Sequence, residues 1–229
     1  MKLLALETAT DRCSVAVLSG GRTIALTDDR PRVHAKRILA MIAEALDEGA
    51  VALEDLDAIA FGRGPGSFTG LRIAAGVVQG LALGARLPVV PVSTLAAHAV
   101  AAERIHGAKR SVVCVDARMD ECYWAAYRTG AAGLPVAVTD DCLIRPELRA
   151  LPDGAEWYGA GSGWATWPAL PEGAGSLAGS DPGLLPEARD LLGMAIAELD
   201  QGRAVGAADA LPVYLRDSVA WQTAPGRTQ

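Results

Sequence analysis

No C-x-x-C pair occurs among the four cysteines (Cys13, Cys114, Cys122, Cys142), and only three histidines are present. A zinc knuckle needs ligands closely paired in sequence, so this spacing argues against one. The scatter fits reduced thiols in a cytoplasmic protein, and Cys13, set in an alternating run, reads as a small buried hydrophobe. Surplus positive charge is missing as well. With 21 Lys and Arg against 27 Asp and Glu, the formal charge is -6, whereas a chain that grips nucleic acid alone needs clustered bases to neutralise phosphates. The densest basic stretch, DDRPRVHAKR, is short and opens with two aspartates. A secretory leader is not expected, because MKLLALETATD brings in an acid after only six residues. No uninterrupted apolar run of membrane length follows. The expectation is a soluble, cytoplasmic chain with no membrane partner.

What is present is a regular succession of elements. At 229 residues the chain is long enough for one large domain or two small ones. LLALET is a short apolar run that can be buried on both faces; CSVAVLSG and TIALTD follow across turn-like TATD and GGR, which predicts a three-strand meander. VHAKRILAMIAEALDEG has helical periodicity and stops at Gly49. LDAIAFGRG predicts a fourth strand, GLRIAAGVVQGLALGAR a second helix, LPVVPVS a fifth strand and TLAAHAVAAERI a third helix. A meander followed by crossover units predicts a mixed sheet with helices on its faces. Beyond it, SVVCVDA, CYWAAYRT and LPVAVT read as strands, and LLPEARDLLGMAIAELDQG as a helix between Pro186 and Gly202. The stretch from about 152 to 186, with Trp157, Trp164 and Trp167, has little periodicity. SVVCVDARMDECYWAAY restarts the strand-turn-strand pattern of KLLALETATDRCSVAVL, which hints at two related halves.

Three features bear on chemistry. FGRGPGSFTGLRIAAG places Gly64, Gly66, Gly70, Ser67 and Thr69 between a strand and a helix. Such a loop either bends the chain and caps the helix through Ser67 or Thr69, or cradles an anion. No Lys follows the glycines, so it is not a Walker A loop, and the turn-and-cap reading is favoured. In the second helix Gly76, Gly80 and Gly84 recur every four residues and share one face. Each glycine costs about 1 kcal/mol in a helix interior, so a close neighbour is needed, either inside the chain or on a partner. In the first helix Ile38, Leu39, Met41, Ile42, Ala43, Ala45 and Leu46 spread over more than one stripe. Together these predict an interface formed by Ile38, Met41, Ile42, Ala45, Leu71, Gly76, Gly80 and Gly84.

ALETATDRCSVAV, GRGPGSFTGLRIAAG, QGLA, VSTLAAHA, VDARMDECYWAAY and PVYLRDSVAW together resemble the bacterial TsaB (YeaZ-type) family. The resemblance runs from Leu3 to Trp221, and GPGSFTGLR is its most specific part. It implies an α/β actin-like ATPase (ASKHA, ribonuclease H-like) fold of two related lobes, each a mixed sheet flanked by helices, read here as residues 1–104 and 105–229 with the tail packing back on the first. It implies a subunit of the machinery that makes threonylcarbamoyladenosine in tRNA, working with the catalytic paralogue TsaD and the ATPase TsaE. Its part would be a non-catalytic one, with its first two helices meeting the equivalent pair of TsaD, or a second copy when that partner is absent. The tRNA would be reached mainly through the complex. Glu7 stands where the family commonly has Asp.

The enzyme alternatives of the same fold are an ATP-dependent phosphotransferase and a metallopeptidase. Against the first, the ETATD turn carries Glu7 but no glycine for close approach to a phosphate. Against the second, TsaD-like proteins carry H-x-x-x-H on a helix, whereas four residues after His34 stands Ile38, and His98 and His106 are equally single. Asp116, Arg118, Asp120 and Glu121 read as a charged turn rather than an acid/base cluster. Tyr214, Leu215, Val219 and Trp221 read as anchors of a docked segment, on the first lobe or on a partner. No cofactor, metal or catalytic residue is expected.

Overall fold

The strand β1, Leu3–Glu7, is buried along its whole length. Successive side chains of a strand point to opposite faces, so Leu4 and Leu6 enter one core while Leu3 and Ala5 enter another. The computed structural model describes residues 1–145, 151–152, 156–167 and 176–216. β2 (Cys13–Ser19) and β3 (Arg22–Asp28) pair antiparallel beside β1. The β2–β3 turn falls on Gly20 and Gly21, both at positive φ, the backbone a two-residue hairpin turn requires. β4 (Ala58–Gly64) and β5 (Val89–Ser93) continue the sheet in parallel, giving the order β3-β2-β1-β4-β5. The helices α1 (His34–Glu48) and α2 (Phe68–Ala85) both cover the Leu4 and Leu6 face.

The helix α3 (Thr94–His106) leads to a second sheet. Its strands are β6 (Arg110–Arg118), β7 (Glu121–Thr129), β8 (Pro135–Ala137), β9 (Cys142–Ile144), β10 (Glu156–Ala160) and β11 (Ser176–Asp181), with a short α4 (Gly163–Thr166) after β10. The order is β11-β10-β6-β7-β8, and β9 also pairs with β7. From the other end it repeats the first sheet: an antiparallel meander β8-β7-β6, then parallel β10 and β11. The restarted strand-turn-strand pattern therefore marks equivalent central hairpins. Trp157 and Trp164 belong to the core of this second sheet, with the Trp124 and Trp164 rings tilted at 44° and 6.0 Å apart.

Alanine explains how the two sheets share α3. Ala97 contacts the first sheet's core, while Leu95, Ala96, Ala99 and Ala102 pack with Val113 and Ala125 of the second. A helix with methyl side chains is slim enough for a sheet on each side. The last helix, α5 (Arg189–Asp200), returns to the first sheet, where Leu191, Leu192 and Ala195 meet Leu3, Ala5 and Ala60. It starts three residues beyond Pro186 rather than at it. Arg104 of α3 grips Asp190 of α5 with two bonds, Nε to Oδ1 at 2.7 Å and a terminal nitrogen to Oδ2 at 2.9 Å. The Asp190 side chain is 1% exposed and that of Arg104 34%. Arg104→Ala would leave a buried carboxylate without its cation. It is expected to destabilise the chain by about 3 kcal/mol, read from urea unfolding, with partial recovery in the Arg104→Ala/Asp190→Asn double variant.

Candidate docking face and the loop beneath it

The glycine-rich loop is filled by the chain itself. Ser67 N–H donates to the Ala9 carbonyl at 2.8 Å, and Thr8 Oγ1 donates to the Gly70 carbonyl at 2.8 Å. The β1–β2 turn thus lies directly on the start of α2. A Cβ at Gly66 would sit 2.5 Å from Ala9 O, and one at Gly70 would overlap Thr8 O. These glycines admit a protein backbone, which is the close approach that glycine permits. Ser67 Oγ caps α2 by accepting from Gly70 N–H at 3.3 Å. Turn and cap account for the whole motif.

Under the loop lies Glu7, fully buried at the C-terminal end of β1. Its Oε1 accepts from Ala9 N–H at 2.6 Å, and its Oε2 from Thr94 Oγ1 at 3.2 Å. Thr94 Oγ1 in turn accepts from Gly64 N–H at 3.2 Å. Gly62 leaves room for the carboxyl, since a Cβ there would overlap it. Burial pushes the Glu7 carboxyl up to about 7, against the lowering effect of the donated bonds from Ala9, Thr94 and Thr8. The group acts here as a bracket between β1, β4 and α3.

The predicted interface residues divide sharply. Ile38, Met41, Ile42, Ala45 and Leu71 are buried in the chain's own core, none more than 4% exposed. The expectation that they face a partner is therefore corrected. α1 is more strongly amphipathic than its broad apolar composition suggested, and those four of its residues all turn toward the sheet. Gly76, Gly80 and Gly84 do the opposite. Each is exposed, and a Cβ built on any of them would find no atom of the described residues within 4 Å. Among the described residues, then, no internal contact explains the stripe. Beside it stand Leu83 at 75% exposure and Phe68 at 54%, and on the outer side of α1 Leu39 at 59%. Sequence reasoning counted Leu39 only within the apolar spread of the first helix and missed Leu83 and Phe68, because it sought an excess of apolar side chains rather than the few left over once a core stripe is assigned. α2 is long and apolar enough by length and composition to cross a membrane, contrary to expectation, although 33% of it is buried. Leu71, Ala74, Ala75, Val78 and Ala82 attach it to the sheet.

The remaining candidates fall apart in space or into structural roles. His34 Nε2 meets the Thr10 carbonyl at 3.0 Å, and His98 Nδ1 meets the Thr94 carbonyl at 2.9 Å. Burial pushes His98 down to about 4, so the ring is neutral. Among the described residues no three His, Cys, Asp or Glu side chains converge in a metal-binding group. Asp116, Arg118, Asp120 and Glu121 form the β6–β7 turn, where Arg118, Met119 and Asp120 all have positive φ. The tail holds that turn: Arg216 donates to the Ala117 carbonyl at 3.0 Å, the Arg118 carbonyl at 3.2 Å and Glu121 Oε2 at 2.7 Å. Upstream, Val213 N–H donates to the Arg63 carbonyl at 2.8 Å, and the Tyr214 ring packs at a tilt against Phe68, centroids 5.5 Å apart. The docked segment thus lies on this chain; Val219 and Trp221 fall outside the described residues.

Two sheets of matching strand order, joined by a shared helix, define the actin-like, ribonuclease H-like class of α/β proteins. Residues 29–154 match the family described as TsaD: tRNA N6-adenosine threonylcarbamoyltransferase. The tRNA threonylcarbamoyladenosine biosynthesis protein TsaB of Escherichia coli (strain K12) is 42% identical over 230 residues, covering 99% of this chain and 100% of that relative. TsaB of Haemophilus influenzae is 40% identical over 237 residues, covering 99% and 98%. A solved structure, YeaZ from Pseudomonas aeruginosa, superposes with a TM-score of 0.88 at 47% identity, covering 93% of this chain and 99% of that one. The chain belongs to the TsaB family of tRNA threonylcarbamoyladenosine biosynthesis proteins.

Proposed function

We propose that this chain is a non-catalytic scaffold subunit in the synthesis of N6-threonylcarbamoyladenosine in tRNA. It lays the outer sides of α1 and α2 against the matching helices of a TsaD-type catalytic paralogue, keeps that paralogue in its active form and helps recruit a TsaE-type ATPase. We further propose that it works in the cytoplasm as two lobes, 1–104 and 105–229, with the tail laid back on the first, and self-associates through the same helices when the paralogue is absent. The observation that carries this reading is the outward stripe of Gly76, Gly80 and Gly84. Each glycine lowers helix stability by about 1 kcal/mol relative to alanine, and none is needed to clear an atom of the described residues. A second backbone approaching α2 closely is the compensating contact. The phosphotransferase alternative is disfavoured because the turn residues Thr8 and Ala9 occupy the glycine-lined space above α2.

Gly80→Leu tests the reading. The variant is expected to fold as the parent does, since the added side chain points into open space, but to lose co-purification with the TsaD-type paralogue. Retention equal to the parent's would overturn the docking face. Calorimetry with ATP addresses the enzyme alternative: tight binding by the isolated chain would revive the phosphotransferase.

A further inference from the structure

Where α2 begins, the outward face changes character. Phe68 is 54% exposed and Tyr214, delivered by the tail, is 44% exposed. The guanidinium of Arg72 lies 3.8 Å from the centroid of the Phe68 ring, and its Nε donates to Tyr214 Oη at 3.3 Å. Among the described residues no carboxylate is within ion-pair distance of Arg72, in contrast to the paired Arg12, Arg37 and Arg104. One side of the guanidinium is therefore already desolvated by an aromatic ring and its plane is fixed, while its charge has no counter-ion among the described residues. Such a group loses little freedom on pairing, and its planar donors suit a carboxylate. Arg72 lies four residues before Gly76, one turn up the same face as the glycine stripe.

We infer that Phe68, Arg72 and Tyr214 form the charged anchor of the docking face, with Arg72 receiving a carboxylate of the TsaD-type partner. The inference rests on the proposed docking through α2 and adds two things to it. The contact has a polar fixed point that sets register along the glycine stripe, and the C-terminal tail contributes to the face through Tyr214. Arg and Tyr are among the residue types that dominate binding at protein interfaces. A protein partner is favoured over RNA because the cluster continues directly into an uncharged, close-approach stripe that suits a helix.

Titration of the purified TsaD-type paralogue with parent, Arg72→Gln, Tyr214→Ala and Gly80→Leu chains at low and high ionic strength tests this. Arg72→Gln is expected to weaken binding about thirtyfold at low ionic strength and Tyr214→Ala about tenfold. The salt dependence of the parent should flatten in Arg72→Gln, a change that loss of folding would not produce. If Gly80→Leu fails to bind while Arg72→Gln binds as the parent does at both ionic strengths, the anchor is wrong and the docking face stands. If both bind like the parent, the docking face itself falls, and the anchor with it. Unchanged partner affinity with loss of tRNA binding by the complex would overturn the inference in favour of a base-stacking platform.

Discussion

Gly70→Ala is expected to destabilise the chain by about 3 kcal/mol or more, while the same change at Gly76 stabilises it by about 1 kcal/mol. The two positions are six residues apart in one helix, and local propensity favours alanine at both. They differ in what the new methyl meets. At Gly70 it overlaps the carbonyl oxygen of Thr8, and that carbonyl sits in a turn pinned to the helix by Thr8 Oγ1 and Ser67 N–H. The obstacle is backbone, so no rotamer change relieves it. At Gly76 the methyl meets nothing within 4 Å, so only the gain in helix propensity remains. For a chain of this length the shifts correspond to a fall of roughly 6–12 °C and a rise of roughly 2–4 °C in Tm. A pair of melting curves decides the matter. Equal signs for the two variants would mean that the turn does not rest on α2 as described.

The second large effect concerns pH. Glu7 has a folded-state pKa of about 7 against an ordinary value of 4.5, so between those limits the folded chain holds a proton that the unfolded chain has released. Stability from this group is therefore full below about pH 4.5, falls as pH rises to about 7, and is level above it; the total is on the order of 3 kcal/mol. Glu7→Gln imitates the protonated carboxyl, accepting from Ala9 N–H through Oε1 and donating toward Thr94 through Nε2. It should match the parent near pH 5 and exceed it by about 2–3 kcal/mol at pH 8. His98, held to about 4, acts in the opposite direction below its ordinary value near 6.5, but it is common to both proteins and cancels in their difference. Parallel stability profiles for parent and variant from pH 5 to 8 would refute the assignment.

Most of the framework was legible because its signals are local. An unbroken apolar run marked β1 as buried on both faces, alternation marked β2, Gly49 ended α1, and the restart at Ser111 marked a second central hairpin. The strands β10 and β11 were not legible. Gly159 and Gly161 stand in or beside β10, and Gly159 is there because Trp164 packs against it, with a Cβ at that position falling 2.8 Å from the ring. A glycine that makes room for a tryptophan folded back from the following turn looks, in sequence, like an irregular stretch. The docking face was half legible for a related reason. The spacing of Gly76, Gly80 and Gly84 is a helical period and can be counted. The pairing of Phe68 with Tyr214 spans the whole fold, and only the return of the tail brings the two rings together.

The path of the tail has a mechanical consequence. Within four residues it is bonded to β4 at Val213, leans on α2 at Tyr214 and grips the β6–β7 turn at Arg216. Displacing Tyr214 therefore pulls on a brace whose far end is tied to a turn built on left-handed backbone at Arg118, Met119 and Asp120. A partner seated on one sheet's helices would in this way be connected to the central hairpin of the other sheet without touching it.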